Sequence, residues 1–184
     1  MSKFTDVYSF VRFMLEGGYV NHPDDKGGET WCGLTKKFLQ DNNIRIPPGE
    51  EDIYNGYSII YEYLLDPIKK TPVLNDLPYE VSLCIFDMLV HMGKTNAIKK
   101  LQQVLGVKVD GKYGMETHNA LMREVKNNKL ALCNRLISSK LKHYTEIWKK
   151  DKSQLVFARG WVRRMCDIID EITPGAKKPP ANEA

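Results

Sequence analysis

Glu16-Gly17-Gly18-Tyr19-Val20-Asn21-His22-Pro23-Asp24-Asp25-Lys26-Gly27-Gly28-Glu29-Thr30 is the stretch on which the reading of this chain turns. Upstream of it, Val7, Phe10, Val11, Met14 and Leu15 recur at helix spacing and predict an amphipathic helix over about 5–16. Thr5 is a candidate cap for its start, and Gly17-Gly18 stops it. Glu16 therefore sits in a last helical turn, facing the negative end of the backbone dipole and apolar neighbours. Both surroundings disfavour charge on a carboxyl group, which suits a general acid working near neutral pH.

The stretch resembles the motif of the glycoside hydrolase family 108 lysozymes. In that family a Glu-Gly-Gly-Tyr element is followed by Asp-x-Gly-Gly-x-Thr. Here they stand as Glu16-Gly17-Gly18-Tyr19 and Asp25-Lys26-Gly27-Gly28-Glu29-Thr30, with Gly33-Leu34-Thr35 matching the closing Gly-Ile-Thr. Further on, Leu101-Gln102, Leu105-Gly106-Val107, Asp110-Gly111, Gly114, Thr117 and Ala120-Leu121 resemble the family's C-terminal peptidoglycan-associated part. Gly160-Trp161 with Arg163 and Arg164 is similar to its closing Gly-Trp-x-x-Arg.

The resemblance implies a peptidoglycan hydrolase of the endolysin type, cleaving the β-1,4 bond between N-acetylmuramic acid and N-acetylglucosamine. It implies Glu16 as the acid that protonates the leaving glycosidic oxygen. Asp25 would stabilise charge on the sugar or orient a water, and Thr30 would help hold that water. Asp24 competes with Asp25 for the role, but Asp25 directly precedes the x-Gly-Gly-x-Thr pattern. Tyr19, Trp31 and Tyr113 are candidates for stacking on sugar faces. His91 stands where the family tends to have Asn, in a region expected to line the cleft, and a histidine there would titrate near neutrality. Asp87 lies one helical turn before His91, and an Asp–His pair in the core is the plain reading. A lytic transglycosylase using Glu16 without water, and a non-catalytic peptidoglycan-binding module, are the rival readings.

The rest of the chain reads as mainly α with a short β-hairpin or loop after the first helix, and the resemblance implies a lysozyme-like helical domain. Helices are expected over about 36–42, 50–65, 79–92, 95–105, 115–126, 129–149 and 154–172. The helix over 79–92 is apolar nearly all round. Residues 1–173 read as one domain, with a catalytic-motif lobe over 1–78 and a helical lobe over 79–173. Residues 174–184 form a small, polar, Pro-rich tail expected to be disordered.

Composition excludes other classes. The 184 residues are 42% hydrophobic with a net charge of +4, enough for a packed core and suited to an anionic wall. Such an excess does not argue for nucleic acid. No apolar run is long enough to span a bilayer, and the first residues do not read as a classical signal peptide. The expectation is a monomer held in the host bacterial cytoplasm until a holin releases it to the wall. Cys32, Cys84, Cys133 and Cys166 lack metal spacing and read as reduced thiols, and His22, His91, His118 and His143 lack zinc spacing. No cofactor or metal is implied.

Overall fold

The computed structural model describes residues 3–23, 28–173 and 175. Asp25, its neighbour Asp24 and nearly all of the 174–184 tail lie outside the described residues. Helix α1 (Lys3–Phe10) runs on as a π-helical turn over Val11–Leu15. Because α1 already includes Lys3, Thr5 lies inside the helix instead of capping it. Three two-residue strands follow: β1 (Tyr19–Val20), β2 (Thr30–Trp31) and β3 (Leu34–Thr35). They form an antiparallel sheet in that order, with Tyr19 opposite Trp31 and Thr30 opposite Thr35. The hairpin expected after the first helix is therefore present, with a third strand added.

Thr35 extends directly into α2 (Lys36–Asp41), accepting a hydrogen bond from the Phe38 amide at 3.1 Å as an N-cap should. Next come α3 (Glu50–Tyr61), α4 (Tyr79–Met92), α5 (Lys94–Leu105), α6 (Met115–Lys150) and α7 (Ala158–Ile172). Gly106 closes α5 in the left-handed conformation, where glycine carries no Cβ penalty. The two helices expected over 115–126 and 129–149 are both present, running end to end within α6 and meeting at a kink at Asn128, whose backbone leaves helical geometry. Its Oδ1 accepts from the Ala131 amide at 2.9 Å, so the second half starts with its own cap. The last helix begins as a 3-10 turn over Lys152–Phe157 before α7.

Helix α4 is the axis of the molecule, packing against α1, α3, α5, α6 and α7. Its residues from Val81 to Leu89 are buried without a break, as an all-round apolar sequence requires. Two of those buried positions are polar, Ser82 and Asp87. Ser82 Oγ donates to the Leu74 carbonyl at 2.8 Å. Asp87 anchors the site described next. Among the described residues, no helix is long and apolar enough to cross a membrane.

Candidate active site

Glu16 leaves the helix through the π-turn. Its amide donates to the Val11 carbonyl, five residues back, at 2.9 Å, and its own backbone is already extended. Local π-geometry of this kind re-aims the residue that follows it. The Glu16 carboxyl comes to rest against Gly33. A Cβ at Gly33 would lie 2.6 Å from Glu16 Cδ, so only glycine leaves room. Cys32 and Gly33 form the two-residue turn between β2 and β3, both with positive φ, the type I′ signature that matches strand twist. The turn is held on both sides: the Cys32 amide donates to the Gly18 carbonyl, and the Tyr57 hydroxyl donates to the Cys32 carbonyl at 2.7 Å.

The surroundings of Glu16 are not the plain apolar ones expected from sequence. Arg164 Nη1, from α7, donates to Glu16 Oε1 at 2.5 Å and reaches the Leu15 carbonyl at 3.3 Å. Arg164 Nε donates to Asp87 Oδ1 at 2.5 Å, and Asp87 Oδ2 pairs with Lys140 of α6. Glu16, Arg164, Asp87 and Lys140 thus form a chain of alternating charge. Asp87 and Lys140 are each 1% exposed at the side chain. Burial opposes the charge on Asp87, but Arg164 and Lys140 outweigh it and hold its carboxyl below the usual range. Burial pulls the Lys140 ammonium down to about 8 although Asp87 supports it. Burial opposes the Arg164 guanidinium too, and Asp87 and Glu16 more than offset that. Arg164 Nη2 is buried with no hydrogen-bond partner among the described residues.

Glu16 and Gly33 open onto a cleft of about 500 Å³. Val20, Thr30 and Thr35 form one wall; Val90, His91, His143, Tyr144, Phe157 and Trp161 contribute to the other. The hairpin wall follows from the period of a strand, whose successive side chains face opposite ways. Val20 and Thr30 are register partners and face the cleft. Tyr19 and Trp31 are the next pair and do not line it. They pack on each other with centroids 5.2 Å apart, and the Tyr19 hydroxyl donates to Glu29. The sugar-stacking role expected of Tyr19 and Trp31 is thus not supported by their placement. Tyr113 is elsewhere, its hydroxyl 3.2 Å from His118 Nδ1.

His91 does line the cleft, and Asp87 is not its partner. Asp87 is taken by Arg164 and Lys140, while His91 Nδ1 meets the Tyr144 hydroxyl at 2.9 Å. Burial, and then the Lys140 and Arg164 cations, keep His91 well below the ordinary histidine range. It is a neutral polar group in the cleft at physiological pH, not the near-neutral titrating residue expected. Trp161 edges against His91 and stacks between Trp148 and Phe157, at 5.8 and 6.1 Å. It anchors α7 and shapes the cleft at once.

The second motif of the chain has a structural task. Gln102, 1% exposed, donates through Nε2 to Asp110 Oδ1 at 2.9 Å, the Lys112 carbonyl at 3.0 Å and Thr117 Oγ1 at 3.2 Å. Its Oε1 accepts from the Asp110 and Gly111 amides. The Gln, Asp-Gly and Thr positions are one clamp fastening the loop between α5 and α6.

A mainly helical domain that seats a carboxylate beneath a small sheet, in a cleft walled by aromatic rings, has the build of a lysozyme-like glycoside hydrolase. Residues 11–93 match the Glycosyl hydrolase 108 family model, and residues 96–166 match a model described as a predicted peptidoglycan domain. Between them the two matches take in most of the chain, and together they make it a glycoside hydrolase acting on peptidoglycan. Among solved structures it is similar to that of Brucella abortus SagA, with 27% identity and a TM-score of 0.70. The likeness covers 95% of this chain and 96% of that one. No curated protein sequence matches the chain.

Proposed function

We propose that the chain is an N-acetylmuramidase: it hydrolyses the β-1,4 bond between N-acetylmuramic acid and N-acetylglucosamine, with Glu16 as the general acid. The observation that carries this reading is the fixed placement of Glu16. One oxygen, Oε1, is gripped by Arg164, while Oε2 has no hydrogen bond among the described residues. Oε2 is thus the atom left to pass a proton to the glycosidic oxygen. Thr30 is the hydroxyl assigned to the attacking water, because Thr35 beside it is already committed to capping α2. Asp25, from the family motif, is assigned as the second carboxylate that steadies the developing sugar cation or orients that water. The setting proposed is release from a bacterial cytoplasm by a membrane-permeabilising holin.

Digestion of purified peptidoglycan with mass spectrometry of the products tests the reading. Wild type should release fragments with a reducing muramic acid end. Glu16→Gln should fold and lose ~10²- to 10⁴-fold in rate, the share general acid catalysis supplies. A folded Glu16→Gln variant keeping more than about a tenth of the activity would overturn the assignment of the acid. Anhydro ends would instead identify a lytic transglycosylase, and reducing glucosamine ends a different bond.

A further inference from the structure

The residues that carry the chain's likeness to a peptidoglycan domain are occupied with one another: Gln102, Asp110, Gly111 and Thr117 form the clamp between α5 and α6. Contact with the wall by this region must come from other side chains. On the face of α6 next to the catalytic cleft lies a second, open groove of about 530 Å³ between α5 and α6. Lys100, Asn134, Arg135, Ser138, Lys142 and Glu146 contribute to its lining, three cations against one carboxylate, with hydrogen-bonding groups between them. Part of the charge is already set in place. Lys100 reaches Glu146 at 3.3 Å, and Arg135 pairs with Glu124 while its Nη1 reaches the Val104 carbonyl. The ridge between the groove and the cleft is a single turn of α6: His143 lines the cleft, and Glu146, 3.9 Å from it, lines the groove.

We infer that this groove is a subsite for the peptide stem of peptidoglycan, an acidic peptide attached to the sugar held in the cleft. In peptidoglycan each muramic acid bears a short peptide with free carboxylates. Four extended residues span up to about 14 Å, enough to cross a helix about 10–12 Å wide. Cleft and groove thus accept one branched substrate, sugar on one side of α6 and peptide on the other. Lys142, which has no ion pair among the described residues, receives a stem carboxylate at the exposed rim, and Arg135, already held by Glu124, adds positive potential beside it; Asn134 and Ser138 offer groups for the stem's amides. The inference rests on the muramidase reading for the position of the sugar.

Two substrates separate the inference from that reading: intact peptidoglycan, and the same material stripped of stems by an amidase. Reducing ends released by wild type from the stripped glycan test the cleavage reading alone. Arg135→Glu combined with Lys142→Glu should raise KM on intact peptidoglycan by about tenfold, the combined effect of two surface charge interactions. kcat on intact material, and both constants on stripped glycan, should stay at wild-type values. Lys108→Glu combined with Lys126→Glu makes the same charge change outside the groove and should leave KM unchanged on both substrates. Circular dichroism checks that both double variants are folded. Equal losses on the two substrates, a matching loss in the Lys108 and Lys126 control, or no loss on intact material would each overturn the subsite.

Discussion

The two walls of the cleft are built on different principles. The hairpin wall is three strands of two residues each, joined to α2 by a capping threonine and held by a turn that only Gly33 can complete. The helix wall is the buried side of α4, α6 and α7, where a chain of charges lies among aromatic rings. The first wall is local: Glu16 and Gly33 are 17 positions apart. The second joins residues 53, 77 and 148 positions apart. Burying ions costs several kcal/mol each before their attraction returns it. The helix wall is therefore the one whose failure propagates through the fold, and the hairpin wall the one whose failure stays at the site.

Asp87→Asn probes that contrast with the largest expected effect. It leaves two buried cations without their shared carboxylate and should cost about 3–5 kcal/mol. For a protein of this size that lowers Tm by ~6–20 °C in a thermal melt. A variant as stable as wild type would show that the charges are not what fastens the helix wall. Arg164→Lys comes next. The positive charge survives, but the fork that binds Glu16 and Asp87 together does not. Activity should fall by about 10²-fold, the scale of a small misplacement of a catalytic group. Turnover at the wild-type rate would remove Arg164 from the positioning of Glu16.

On the hairpin wall, Thr35→Ala removes a cap and should cost about 1 kcal/mol in chemical unfolding, with the helix wall intact. A loss as large as that of Asp87→Asn would erase the distinction between the walls. A smaller effect is the pH dependence contributed by His91. Its folded form stays neutral below the point where the unfolded residue, at 6.5, takes up a proton. The unfolded state then binds more protons, so stability falls as pH drops below about 6.5, by at most ~1.4 kcal/mol per unit. His91→Asn should flatten this slope between pH 6.5 and 5.5, while the similarly depressed His143 keeps its own share. An unchanged slope would mean that His91 protonates within the folded cleft. Last, thiol titration should find one fast-reacting group, the exposed Cys166, in native protein and four after unfolding.

What the sequence made legible divides along the same line. Glu16, the stop at Gly17-Gly18, the hairpin and the Thr35 cap are written in neighbouring residues, and turn chemistry can be read without a fold. The helix wall is not. Arg164 shows in the sequence only as part of the Gly-Trp-x-x-Arg likeness, because its partners come from 77 and 148 positions away. A signal for Lys140 existed: Cys133, Leu136 and Tyr144 form a buried stripe at helix spacing, and Lys140 interrupts it. A lysine in such a place demands a buried partner, and Asp87 in the most apolar helix was the available carboxylate. The facing of Tyr19 and Trp31 is hidden for a different reason. Strand alternation allows one of two faces, and only the register with Val20 and Thr30 says which.

The ion pair between Glu16 and Arg164 also sets a clock on synthesis. A chain emerging from the ribosome folds its early elements first, and translation proceeds at about 5–20 residues per second. The carboxylate is made near the start, but the guanidinium that fixes it arrives 148 residues later, on α7. Until that helix docks, Asp87 and Lys140 have no link to the cleft, and Glu16 has no fixed bearing. A nascent or truncated chain that stops at Lys150 holds every residue of the N-terminal motif and lacks the partner that orients its acid.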